Sequence, residues 1–250
     1  MKSDTLGQIQ SDRDGKKPVV RALDLATGDE HLIHPFQGNS NDPLIEAAQT
    51  AALADKSQVF EADGKRIFLQ VFNPPLRMIV VGAVHISQAL VPMAQIAGYD
   101  VTVVDPRRAF GSDLRFPGVT LSNDWPDTAL ETLTPDRRTA IVTLTHDPKI
   151  DDPALNAALK STAFYIGSLG SRKTHAARLA RLSAAGFDEA AQARIDGPIG
   201  LAIGAKSPAE IAVSILAKIT QTLRQGATEA KTASVTRPDK AEASAMSPTA

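Results

Sequence analysis

A doubly wound, mostly parallel α/β sheet preceded by a small β-rich unit is the architecture this sequence predicts, and three observations carry the prediction. From Arg77 onward, short runs of Val and Ile alternate with helical segments, the order expected of parallel strands joined by crossover helices. Those runs are apolar without interruption, as when helices cover both faces of a sheet. Before them, residues 18–75 carry two hairpin signals and close on Asn73-Pro74-Pro75, where two prolines interrupt both ladder and helix.

Each element follows from local chemistry. Residues 1–17 and 226–250 are polar or rich in Ala, Ser, Thr, Pro and Lys without a hydrophobic period, which predicts two disordered tails. "PVVRALDL" and "EHLIHPF" flank the turn "ATGD", and Asp42-Pro43 caps and begins a helix through "LIEAAQTAALADK". "SQVFEA" and "RIFLQVF" form a second hairpin around Asp63-Gly64. The domain at 76–225 then reads "RMIVVGA", a helix near 85–97, "YDVTVVD", a short strand near "GVTLS", "TAIVTLT", a helix from Pro153, "AFYIG", and a helix from Arg172. A last helix from Pro208 repeats Ile211, Ile215, Ile219 and Leu223 at intervals of four, a core stripe. Ser207, Pro208 and Glu210 form its capping box, which makes Glu210 structural, and His31 and His34 read as hairpin surface or packing residues.

Composition excludes several function classes. With 250 residues, 43% apolar and 22% charged, the chain is an ordinary globular protein of one or two domains. A net charge of -1 gives no global attraction to nucleic acid or acidic lipid, so an anion site has to come from local basic groups. No apolar run approaches the roughly 20 residues that span a bilayer, and the start lacks a secretory signal, so a cytoplasmic location is expected. There are no cysteines, hence no disulfide, no thiolate metal site and no covalent sulfur carriage by this chain.

In open α/β sheets ligands bind beyond the carboxyl ends of the strands, which singles out four places. At "VVGAVHIS", Gly82 begins a Rossmann-like G-x-G-x-x-G turn, with His85 inside it, but Val84 and Ser87 replace the later glycines. The valine side chain is expected to obstruct a pyrophosphate, and glycine there to relieve it. Asp105 lies 23 residues beyond Gly82, where a ribose-binding acid or a turn carboxylate would stand, followed by Arg107 and Arg108 as phosphate partners or solvated charge. In "TLTHDPKIDDP", His146 and Asp147 suit ligand contact or acid-base work, although Asp147 and Asp152, each before a proline, equally suit helix capping. The spacing matches no standard metal site. In "YIGSLGSRKTH", Gly167 and Gly170 precede Ser171 as a helix cap, with Arg172, Lys173 and Arg178 in the first turns. First-turn cations oppose the helix dipole, and a bound anion would remove that cost, so this is the preferred anion site.

The strings "VVGAVHISQAL", "DVTVVDPR", "RFPGV", "VTLTHDPKIDDPAL", "FYIGSLGSRKTH" and "GPIGLAIGAKSPAEIAVSILAKI" closely resemble the XdhC/CoxI family over about residues 70–222. These are accessory proteins of xanthine dehydrogenase and related molybdenum hydroxylases. The resemblance implies a Rossmann C-terminal domain and a non-enzymatic chaperone. Such a protein binds the molybdenum cofactor, as molybdopterin or its dinucleotide form, and supports its sulfuration and insertion. The implied partners are the target molybdoenzyme and a cysteine desulfurase, with homodimerisation a further option. Full-length members carry an N-terminal domain with a glycine-rich, cysteine-containing segment that residues 1–75 do not match, which suggests a split pair with a cysteine-containing partner. Two other readings are carried forward: an NAD(P)-dependent oxidoreductase, and a nucleotide-sensing or structural interaction module.

Overall fold

The computed structural model describes residues 2–38 and 41–235. The chain divides into two compact units, Pro75–Leu223 and a second built from the described residues up to Pro74 together with those from Arg224.

The N-terminal unit contains α1 (Ser3–Asp14), β1 (Val19–Asp24), β2 (Glu30–Ile33), α2 (Pro43–Leu53), β3 (Gln58–Ala62) and β4 (Lys65–Phe72). Its antiparallel sheet has the order β2-β1-β4-β3, made by the two expected hairpins. Helix α2 begins where Asp42 accepts the Leu44 amide at 2.8 Å and Pro43 occupies the first turn. Its Ala48 and Ala52 pack on Val20, Ala22 and Leu69. Residues 3–14, expected within a polar tail, are helical instead, because polar contacts replace an apolar stripe. Glu30 accepts the Lys2 amide at 2.8 Å and the Thr5 hydroxyl at 2.7 Å, and Asp12 meets His34 at 3.0 Å. His31 is exposed.

The larger unit contains β5 (Leu76–Val81), α3 (His85–Ile96), β6 (Tyr99–Val104), β7 (Thr120–Ser122), α4 (Pro126–Leu133), β8 (Thr139–Thr143), α5 (Pro148–Lys160), β9 (Tyr165–Ser168), α6 (Arg172–Ala184), α7 (Glu189–Gln192), β10 (Ile195–Asp196) and the part of α8 (Pro208–Val235) up to Leu223. Its six strands are all parallel in the order β10-β9-β8-β5-β6-β7. This is the doubly wound Rossmann arrangement, with the reversal of strand order between β5 and β8. Met78, Val80, Ala140 and Val142 point to the side of Leu90, Val91, Ile215 and Ile219, while Ile79, Val81 and Ile141 point to that of Leu130, Leu155, Ala158 and Leu182. Burial on both faces is why these strands read as unbroken apolar runs. A fully buried Val, Ile or Leu contributes about 1.5–3 kcal/mol over an exposed one, so this sheet dominates the unit's stability.

Three local expectations are revised. Helix α5 starts at Pro148 rather than Pro153, with Asp147 as its cap accepting the Lys149 amide at 2.9 Å. Asp152 therefore lies inside the helix, where it takes two hydrogen bonds from Arg181 at 2.5 and 2.9 Å. The segment from 226, expected as a tail, stays helical to Val235, and residues 236–250 lie outside the described residues. The capping box of α8 is present, Glu210 accepting the Ser207 amide at 2.9 Å.

Candidate functional site

The carboxyl ends of β5, β6, β8 and β9 converge where the strand order reverses. The turn after β5 is closed upon itself. Gly82 has φ +111°, and a Cβ there would lie 2.6 Å from Thr145 Cγ2, so only glycine lets the β5 and β8 ends approach this closely. The Gly82 amide bonds to Val104 O at 2.8 Å, Ala83 N–H to Asp105 at 2.8 Å, and Val84 N–H to Ser87 Oγ at 3.4 Å. Ser87 is fully buried and its hydroxyl donates to Gly82 O, so the serine fills the third-glycine position and binds the turn together. From the β6–β7 loop Arg115 donates to Ala83 O at 2.9 Å. Val84 is half-buried against the core cluster that includes Leu90. His85 is exposed.

Asp105 stands at the end of β6 but its oxygens are already taken. Oδ1 accepts Arg107 N and Nε, both at 2.9 Å, and Oδ2 accepts Ala83 N and Arg107 Nη2, both at 2.8 Å. Four bonds fill a carboxylate's acceptor capacity, leaving none for a ribose hydroxyl. Burial pushes the carboxyl up, but Arg107 and the two amides outweigh it and hold it below its ordinary value. Arg107 is committed to this acid and stacks 4.5 Å from the Phe110 ring centroid.

The β8 end presents Thr145, His146 and Asp147. His146 is exposed and has φ +63°, a left-handed backbone uncommon outside glycine. Thr145 Oγ1 donates to Asp151 Oδ1 at 2.7 Å and accepts Asp147 N–H at 3.1 Å, which ties the turn to α5. His146 and Asp147 share no hydrogen bond among the described residues, so the pair has no orienting contact for acid-base work.

At the β9 end the arrangement is the reverse of that after β5. Gly167 lies inside the buried strand, where a Cβ would fall 2.5 Å from Ile199 Cδ1, so this glycine serves packing. Gly170 makes the turn with φ +149°. Ser171 caps α6 by accepting Thr174 N–H at 3.1 Å, and its carbonyl takes His175 N–H at 2.8 Å. The amides of Arg172 and Lys173 take no partner among the described residues, and both side chains are exposed and unpaired there. Arg178, expected among the first-turn solvated cations, is instead 2% exposed beneath the turn, with Nη2 donating to Leu169 O at 2.8 Å. Burial lowers its pKa and also that of the neighbouring His175.

The structure thus brings Gly82, Asp105, Arg107, His146, Asp147, Gly170, Ser171, Arg172 and Lys173 to one edge of the sheet and leaves Gly167 inside it. Sequence reasoning missed Asp151 and Arg115. Asp151 carries no signal of its own among the polar residues of "KIDDP".

Comparison with known proteins decides the family. A model described as the XdhC Rossmann domain matches residues 78–219, more than half of the chain. The chain belongs to the XdhC Rossmann domain family. An Escherichia coli (strain K12) relative named molybdenum cofactor insertion chaperone PaoD is 30% identical over 148 residues, 59% of this chain and 40% of that protein. A Bacillus subtilis (strain 168) relative, named as a probable xanthine dehydrogenase subunit, is 33% identical over 160 residues, 64% of this chain and 46% of that one. This XdhC-family chain therefore spans less than half the length of these curated relatives. A crystal structure described as a xanthine dehydrogenase from Bacillus halodurans superimposes with TM-score 0.64 at 24% identity, covering 89% of this chain and 64% of that one, which supports the fold.

Proposed function

We propose that this chain carries the molybdenum cofactor, as molybdopterin or its dinucleotide form, and assists maturation of a xanthine dehydrogenase or carbon monoxide dehydrogenase type molybdoenzyme without catalysing a reaction itself. The names of the E. coli and B. subtilis relatives support an accessory role of this kind. One observation carries the reading at the level of the site: Asp105 is saturated by Arg107 and Ala83, while the amides and side chains that begin α6 are uncommitted among the described residues. The closed turn disfavours an NAD(P)-dependent oxidoreductase, and the open one suits a phosphate on a different ligand.

The residues present fit such a cofactor. The amides of Arg172 and Lys173 and the Arg172 guanidinium hold its phosphate, Lys173 adds charge, and His146 and Asp147 line the neighbouring strand end. The bound cofactor supplies the molybdenum centre that the client enzyme uses. This chain has no cysteine, so the sulfur for cofactor sulfuration comes from another chain. A cysteine-containing protein of the XdhC N-terminal type and a cysteine desulfurase fill that role, and the client is a cytoplasmic apo-enzyme. The test mixes the purified chain separately with molybdenum cofactor, NAD and NADP and removes free ligand by gel filtration. Retention of the cofactor and neither nucleotide is expected. Retention of NAD or NADP without the cofactor overturns the proposal.

A further inference from the structure

Helices α4 and α5 leave between them a cavity of about 560 Å³ that no residue of the rim lines. Its volume falls within the ~300–1,000 Å³ of small-ligand sites. Each of the two helices joins a pair of parallel strands, so both run antiparallel to the sheet and parallel to each other. Leu130 and Pro135 from the α4 side and Pro153 and Ala157 from α5 form the apolar walls, and neither α5 residue is long enough to fill the space.

The polar groups on the two walls have opposite character. On α4, Asp127 and Glu131 are exposed to the cavity and take part in no hydrogen bond or ion pair among the described residues. Asp127 also suits the first turn of a helix, which makes Glu131 the sharper probe. On α5 stand Asn156 and Lys160. The Lys160 ammonium has no partner among the described residues, and α5 does not need it as a cap, because Arg194 donates to Leu159 O at 2.7 Å and to Ser161 O at 2.9 Å. Asn156 is half-buried with its Oδ1 enclosed, so the amide turns its Nδ2 donors to the cavity. Acceptors on one wall thus oppose donors on the other, and no ion pair among the described residues closes the gap.

We propose that this cavity binds a small zwitterion, a ligand with a carboxylate and a donor-rich cationic nitrogen group joined by a short aliphatic stem. The carboxylate lies against Lys160 and the Asn156 amide, the cation against Glu131 and Asp127, and the stem along Leu130, Pro153 and Ala157. One to two helical turns, about 5–10 Å, separate the acids from the level of Lys160 and set the distance between the ligand's charges. A ligand of a single charge engages only one wall, and an apolar one engages neither. The occupant is distinct from the cofactor of the rim.

Calorimetry on the full chain tests this with 5-guanidinopentanoic acid, with butylguanidine, which lacks the carboxylate, and with pentanoate, which lacks the cation. Saturable binding of 5-guanidinopentanoic acid, tighter than that of either fragment, is expected. Lys160→Gln should weaken it roughly fivefold and leave butylguanidine unchanged, whereas Glu131→Gln should weaken both by a similar factor. Asn156→Leu removes the amide together with its unpartnered Oδ1, so it should weaken 5-guanidinopentanoic acid roughly tenfold without lowering the melting temperature. If that variant does not fold, the two exposed positions carry the test. No saturable binding by the wild type, equal affinity for the three probes, or affinities unmoved by Lys160→Gln and Glu131→Gln overturns the proposal.

Discussion

The turns after β5 and β9 occupy equivalent places in the sheet, and each leads from a strand through glycine into a helix, yet one is closed and the other open. After β5, Asp105, Ser87 and Arg115 consume the polar groups that a dinucleotide fold offers to its ligand. After β9, the Leu169 amide bonds to Thr143 O at 2.9 Å and the cap and Arg178 engage the turn, but the first amides and cations of α6 have no partner among the described residues. The difference shows that a glycine pattern reports backbone geometry, whereas ligand capacity depends on which donors the protein has left unspent.

The largest effect is expected from the closed turn. Gly82→Ala places a methyl 2.6 Å from Thr145 Cγ2 on a backbone at φ +111°, and should cost about 2–4 kcal/mol in urea unfolding. At the open turn the nearest atom to such a methyl, Thr174 Cβ, is 3.2 Å away, so Gly170→Ala should cost only about 1–2 kcal/mol. Similar costs at the two glycines would break the contrast.

Next, Arg172→Ala should lose about 1.5–3 kcal/mol of binding to a phosphate-bearing ligand, with an unchanged melting temperature, because the exposed guanidinium has no partner among the described residues. Asp105→Asn should cost about 1–3 kcal/mol at neutral pH, read from thermal unfolding against wild type. The Asp105 carboxyl is held below its ordinary value, so its stabilisation is complete above the unfolded carboxylate range near pH 4. As pH falls through the lower folded value that stabilisation is lost, and the gap between wild type and Asp105→Asn should close. A gap that widens in acid contradicts the assigned charge state.

The smallest effect concerns Val84. The sequence suggests that glycine at this position would restore nucleotide binding, but Asp105 and Arg107 block the ribose place regardless of residue 84. Val84→Gly should lose about 1 kcal/mol of packing and backbone stability and gain no NAD affinity in calorimetry. Micromolar NAD binding by this variant would show that the valine alone closes the turn.

What was legible follows the physics of each signal. Apolar runs marked β5, β6, β8 and β9, and the four-residue stripe marked α8, because burial on a sheet or helix face leaves a period in the chain. Helix α1 left no such trace, since Glu30 and Asp12 hold it through polar contacts distant in sequence. The eight-residue α4 is too short to establish a period. The position of Asp105 was readable, but its occupation by Arg107 depends on side-chain conformation. Arg178 read as another cation at the start of α6, whereas its place on the inward face buries it. Asp152 before Pro153 read as a cap because the true start, one proline earlier, offered the same Asp-Pro signal.

Amide chemical shifts on titration with inorganic pyrophosphate test the contrast most directly, because they report which turn receives the phosphate. Saturable shifts centred on residues 170–174, lost in Arg172→Ala and retained in Arg107→Ala, are the predicted result. Shifts confined to residues 82–86, or shifts lost with Arg107 and kept without Arg172, would place the anion at the turn described here as closed and contradict the account.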